Sequence, residues 1–234
     1  RSEDSDAGTA DLIRELGLAA SGTDFESDLQ YISIIGSIEG HIALPMENKT
    51  TKYEHLIPQL IAVEENPKLR GLLVILNTMG GDVEAGLALA EMIATLSKPT
   101  VSLVLGGGHS IGIPLATATD YSFIAGTATM TLHPIRTTGL VITAETTFDY
   151  MRKTQDRVID FIAGHSRATK KRVTELMNCS DNMSNDVGTI LFGKEAVDAG
   201  IIDAVGGVSQ ALGELRRRVA KVDELEKEIS ISTD

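Results

Sequence analysis

Ser110 stands in the pentapeptide Gly108-His109-Ser110-Ile111-Gly112, directly behind the apolar run Val101-Ser102-Leu103-Val104-Leu105. A serine between small residues at the exit of a buried strand fits a tight strand-to-helix turn. The flanking glycines remove the side chains that would crowd such a turn, and the hydroxyl is left exposed. That is the geometry a nucleophile needs. The pentapeptide also fits a glycine-rich loop with an incidental serine, and 22 glycines in the chain make such matches easy to find. The rest of the chain has to separate the two.

A nucleophilic serine needs a base and a group that polarises the carbonyl it attacks. Of five histidines, His41, His55, His109, His133 and His165, none forms an H-x-x-x-H pair or an H-E-x-x-H box, so no metal site is expected. His133 follows the strand-like segment Met130-Thr131-Leu132 and precedes Pro134, which lacks an N–H and stops the strand. A strand-end histidine near a serine turn is where a general base would sit. His109 adjoins the serine, and adjacent side chains diverge, which makes it a poorer base. His165 closes a helix and suits its C-terminus as a structural residue. The Gly80-Gly81 pair, between a buried strand and a helix, can aim backbone N–H groups at a carbonyl oxygen. Asp82 beside it fits a helix cap. Neither a G-x-G-x-x-G nor a P-loop lysine pattern accompanies that pair, so no nucleotide or other cofactor is expected.

The elements that must position these residues are legible in the apolar pattern. Strands are expected at Leu29 to Ile35 (ended by Gly36), Gly71 to Leu76, Val101 to Leu105, Tyr121 to Ala125 and Met130 to His133. Helices are expected near Ala10 to Ala20, at Tyr53 to Glu65 with Leu56, Leu60 and Val63 on one face, at Val83 to Leu96, Ile113 to Thr119, Ala144 to Gly164 and Lys170 to Met177. Alternating strands and helices with glycine-rich strand exits mean an α/β fold with a substantially parallel sheet. Leu212, Leu215, Val219, Val222, Leu225 and Ile229 form the narrow stripe of an amphipathic C-terminal helix, expected to dock on its own or a neighbouring subunit. The organisation expected is a polar arm over residues 1–28, one domain over 29–207, and a C-terminal helix and tail over 208–234.

Composition narrows the partners. The 234-residue chain is 42% hydrophobic and 23% charged, enough for one sizeable core, and no apolar run approaches the roughly 18 residues of a membrane span. A net charge of −12 speaks against nucleic acid. The single cysteine, Cys179, excludes an intramolecular disulfide and is expected to be a buried structural thiol. Arg1 to Asp11 lack the apolar core of a signal peptide, so a cytoplasmic location is the expectation.

Four blocks, taken together and in order, resemble the proteolytic-subunit family of the Clp protease, a serine peptidase branch of the ClpP/crotonase fold. They are Ile75 to Gly81, Gly107 to Gly112, Met130 to Pro134 and Gly193 to Asp203, within a similarity covering about residues 30–206. The nearest subgroup is the TepA-like, translocation-enhancing one of spore-forming bacteria. The resemblance implies repeated β-β-α units with a protruding long helix, Ser110 as nucleophile and His133 as general base. It implies an oxyanion hole from the Gly81 and Ile111 N–H groups, with Gly80 shaping the turn. The third triad member falls before the Gly193 helix, on Asp186 in preference to Asp181. The usual Ser-Pro-Gly-Gly is here Thr78-Met79-Gly80-Gly81, a departure that bears on substrate preference.

The expected function is therefore a serine endopeptidase acting on peptides or unfolded proteins, as a homo-oligomer of one or more rings. A AAA+ ATPase partner stays open, because the N-terminal arm does not match the axial loops that the family turns toward its ATPase. Two other functions stay open: a non-catalytic scaffold subunit, and an acyl-CoA hydratase or isomerase of the crotonase type.

Overall fold

The computed structural model describes residues 27–136, 143–180 and 187–232. Strands β1 (Leu29–Glu39), β2 (Thr50–Lys52), β3 (Gly71–Gly81), β4 (Thr100–Gly108), β5 (Tyr121–Ile124), β6 (Thr129–Leu132), β7 (Thr189–Phe192) and β8 (Ala204–Val205) alternate with seven described helices. These are α1 (Tyr53–Glu65), α2 (Val83–Ala94), α3 (Gly112–Thr117), α4 (Ala144–Gly164), α5 (Lys170–Met177), α6 (Gly193–Asp198) and α7 (Val208–Ser232). The main sheet runs β2-β1-β3-β4-β5-β8 with every neighbouring pair parallel. Off its edge, β6 pairs in parallel with β4 and antiparallel with β7. This is the expected mixed α/β architecture.

The apolar run in β3 is continuous because both faces of the strand are covered. Leu72, Val74 and Leu76 point into a core shared with Leu56, Leu60 and Val63 of α1, and with Leu89, Ala90 and Ile93 of α2. Leu73, one residue out of phase, joins Val101, Leu103 and Phe123 on the opposite face, where α7 lays Ala211, Leu215 and Val219 against them. The C-terminal stripe thus docks on this chain's own sheet through its first half, while Leu225 and Ile229 farther along stay exposed. Helix α4 is largely exposed from Glu145 to Lys153 and packs from Thr154 onward, which gives it the protruding character expected of the long helix.

Some boundaries differ from the sequence expectation. Strand β1 does not stop at Gly36 but continues to Glu39. Gly36 adopts φ 78° and the pairing slips directly after it, with Met79 of β3 as the unpaired extra residue, so the glycine sits in a continuing strand opposite a bulge and does not end it. Helix α2 ends at Ala94, two residues early, with Thr95 as its cap. Strands β2, β7 and β8, of three, four and two residues, are too short for an alternation pattern to reveal. The helix expected at Ala10 to Ala20 lies outside the described residues. Among the described residues, no helix is long and apolar enough to cross a membrane.

Candidate active site

The turn bearing Ser110 joins β4 to α3 and is tied on two sides. The His109 N–H donates to the Thr78 carbonyl of β3 (3.1 Å), and the Ser110 N–H donates to the Thr131 carbonyl of β6 (2.9 Å). The Gly112 and Ile113 N–H groups close back onto the carbonyls of His109 (2.9 Å) and Ser110 (3.0 Å), which opens the buried helix α3. Among the described residues other than glycine, Ser110 alone has a positive φ, 55°. For a residue with a β-carbon that conformation costs on the order of 1–2 kcal/mol, and the surrounding hydrogen bonds hold it.

The end of β3 comes up against this turn. Thr78 Oγ1 donates to the Gly36 carbonyl (2.6 Å) and accepts from the Gly80 N–H (3.1 Å), so one buried hydroxyl bridges Gly36 of β1 and the glycine pair across the bulge at Met79. Gly80 has φ 91°, and a β-carbon there would stand 2.7 Å from the Ser110 β-carbon. The Asp82 N–H donates to the Ile38 carbonyl of β1 (2.9 Å). Gly81 follows with φ 154°, and a β-carbon there would stand 2.2 Å from the Ile38 carbonyl oxygen. The Ile111 N–H, directly after Ser110, makes no hydrogen bond among the described residues. Asp82 is the helix cap that its position suggests, its Oδ1 accepting from the Ala85 N–H at 2.8 Å.

His133 follows the last residue of β6. Its Nδ1–H donates to the Pro134 carbonyl (2.7 Å). A carbonyl only accepts, so the ring carries its proton on Nδ1, and in the neutral form Nε2 holds a free lone pair. Gly188 lies against this residue so closely that a β-carbon there would be 3.0 Å from the His133 β-carbon. His109 is half-buried, with Nδ1 2.9 Å from Thr131 Oγ1. Burial first, and then the nearby His133, push its pKa below the ordinary histidine value.

Ser110, Ile111, Gly81 and His133 line one cavity of about 160 Å³. Its remaining wall is largely apolar, from Ile113, Leu132 and Ile135, from Val158 and Ile162 one turn apart on α4, and from Met177 at the end of α5, with Arg136 also on the lining. The chemistry this arrangement can perform is addition of a hydroxyl to a carbonyl. Such an addition would need the bare imidazole nitrogen to take the proton and backbone N–H groups to meet the oxyanion, and the apolar wall would suit an apolar side chain of the ligand.

The family model for Clp protease matches residues 27–209. The chain belongs to the Clp protease family. Translocation-enhancing protein TepA of Halalkalibacterium halodurans is 54% identical over 215 residues, which is 92% of this chain and 84% of that protein. The resemblance to the TepA-like subgroup is borne out by that relative, and the parallel α/β sheet agrees with the fold of the Clp protease family.

Of the residues singled out by sequence, Gly80, Gly81, Ser110, Ile111 and His133 come together. Asp186 and its alternative Asp181 lie outside the described residues. His165 caps α4, its Nδ1–H donating to the Phe161 carbonyl (2.8 Å) and its ring stacked on Phe161, a structural role. Cys179 is not the buried thiol expected. It lies beyond the end of α5, half-exposed, with its carbonyl accepting the Gly188 N–H at 2.8 Å. Among the described residues, no cluster of three or more side chains could hold a metal. Sequence reasoning missed Thr78 and Thr131, whose hydroxyls stitch the strand ends, and it missed the cavity wall from α4. The i, i+4 pair Val158 and Ile162 was visible as an apolar stripe, but nothing in a stripe says that it faces a cavity.

Proposed function

We propose that this member of the Clp protease family is a serine endopeptidase that hydrolyses peptide bonds in peptides or unfolded proteins. The observation that carries this reading is the shared cavity of Ser110, Ile111, Gly81 and His133, with the His133 proton on Nδ1 and the Nε2 lone pair available. Ser110 Oγ attacks the scissile carbonyl and its proton passes to His133 Nε2. The oxyanion is met by the Gly81 and Ile111 N–H groups, with Gly80 allowing the close approach of the turn. The imidazolium then protonates the leaving amine as the C–N bond breaks, and water, deprotonated by the same nitrogen, releases the acyl group.

On this reading Asp186 is the third member of the triad. Gly188, two residues on, packs against His133, which supports the assignment. The Nδ1–H has one strong bond to give. The Pro134 carbonyl takes it in this structure, and a working triad would have the Asp186 carboxylate take it instead. The apolar surface left on the sheet by Tyr31, Ile35, Met79 and Leu105, and on α4 by Phe148 and Tyr150, favours assembly with further copies of the chain, in a cytoplasmic homo-oligomer.

The test is intact-mass labelling with a fluorophosphonate. One adduct per chain is expected, absent in Ser110→Ala and slowed by up to roughly 10⁶ in His133→Ala. Asp186→Asn should slow labelling and Asp181→Asn should not. A folded wild-type protein that takes no adduct, or an adduct that persists in Ser110→Ala, would overturn the reading and favour a non-catalytic subunit.

A further inference from the structure

We propose that His109 and Thr131 form a positioning clamp that holds the serine turn in register with His133, an inference that rests on the serine-peptidase reading above. The two halves of the site belong to different strands, and those strands are poorly coupled by their backbones. Strand β4, which leads to Ser110, and β6, which leads to His133, share a single ladder pair, Gly107↔Thr129. One pair fixes a point of contact but not the relative slide and twist of the two chain segments beyond it. Two bonds at Thr131 supply the missing constraint. Its carbonyl accepts the Ser110 N–H (2.9 Å), and its Oγ1 meets His109 Nδ1 (2.9 Å).

The clamp is rigid at both ends. The His109 main chain is pinned through its N–H to the Thr78 carbonyl (3.1 Å) and through its carbonyl to the Gly112 N–H (2.9 Å). Its ring lies over Gly107 so closely that a β-carbon there would be 2.6 Å from Nε2, which sets the ring against the one residue where the two strands pair. Thr131 and His133 are two residues apart at the end of β6, and side chains at that spacing share a face. Meanwhile Met130 and Leu132 are buried on the other side. A hydroxyl held by His109 therefore sets the face from which His133 departs. His109 does not line the cavity, so its action on the reaction goes through Thr131. Burial, and after it the neighbouring His133, disfavour its charged form.

The experiment is the rate and pH profile of fluorophosphonate labelling in the full-length chain. Thr131→Val keeps the shape and removes the hydroxyl. It should label about 10–100-fold more slowly, the penalty of a slightly misplaced pair of groups, with the pH midpoint unmoved. Thr131→Ser should recover most of the rate. His109→Ala should match Thr131→Val, and the double variant should be no slower than either, because both changes cut one bond. A Thr131→Val protein that labels at the wild-type rate, or additive losses in the double variant, would overturn the clamp while leaving the peptidase reading intact. A pH midpoint displaced in His109→Ala would overturn it too, since His109 would then be titrating as a base. A wild-type protein that takes no label at any pH removes the peptidase reading, and the clamp with it.

Discussion

Residues Leu72 to Leu76 of β3 face Thr100 to Val104 of β4 in unbroken register, and their side chains alternate between two buried cores. Beyond Leu76 the same two strands lose that regularity. The register slips before Thr78↔Gly108, and the ladder is replaced by side chains. Asn77 Oδ1 accepts the Gly107 N–H (2.9 Å), and Thr78 Oγ1 spans Gly36 and Gly80. Positive φ values cluster here, at Gly80, Gly81 and Ser110. The difference has a physical logic. A regular ladder consumes every backbone N–H, and an N–H already bonded cannot polarise a carbonyl. Chemistry by backbone donors requires the ladder to break, and the regular half supplies the burial that holds the broken half in a strained shape.

Substitutions in each half test whether the division is real. Leu103→Ala, in the regular half and fully buried, should cost about 2–5 kcal/mol of stability in urea unfolding. The labelling rate of the folded protein should not change, and a slowed rate there would mean that the two halves are not separable. Thr78→Val, in the broken half, leaves the Gly36 carbonyl and the Gly80 N–H without the hydroxyl that joins them. A loss of about 1–3 kcal/mol is expected, together with slower labelling that Thr78→Ser restores. A Thr78→Val protein that loses stability alone would show that the hydroxyl does not shape the glycine pair.

A smaller effect concerns pH. The folded-state pKa of His109 is lowered, chiefly by burial, so the unfolded chain binds a proton more readily than the folded one. Stability from this group is constant above the unfolded pKa of roughly 6.5 and declines as pH falls below it toward the lower folded value. His109→Asn should flatten that decline in urea midpoints measured between about pH 8 and 5, and an unchanged slope would exclude His109 as its source. The smallest effect belongs to the exposed pair Arg157–Glu84, bonded at 2.7 and 3.1 Å between α4 and α2. Arg157 holds the Glu84 carboxyl below the usual range, so the pair contributes above that range and its contribution fades as pH falls through the lowered value. Arg157→Ala should cost less than about 1 kcal/mol at neutral pH.

Much of this was legible beforehand, but unevenly. Helices α1, α4 and α5 begin and end where the apolar spacing placed them, because amphipathic periodicity over eight residues or more is a local signal that burial reinforces. Gly36 was misread because a glycine that ends a strand and one that sits within it look alike in sequence. The decision between them was made by β3, which offers a further partner to Ser37 and Ile38. The buried thiol expected of Cys179 failed for a related reason, since a helical pattern running out at Met177 does not say what covers the next residues.

The order of the longer strands and helices, the sharp turn at Ser110 and the strand stop before Pro134 are written in the amino-acid sequence, since each depends on a residue's own backbone freedom and its near neighbours. That the serine turn, Gly81 and His133 share one cavity emerges only when the chain is folded. So do the wall that α4 gives that cavity and the hydrogen bond that the His133 Nδ1–H gives to the Pro134 carbonyl. Those are relations between segments that lie tens of residues apart in the chain. They are set by parallel pairing, by two threonine hydroxyls and by the packing of a helix against strand ends, and no local pattern encodes where such segments meet.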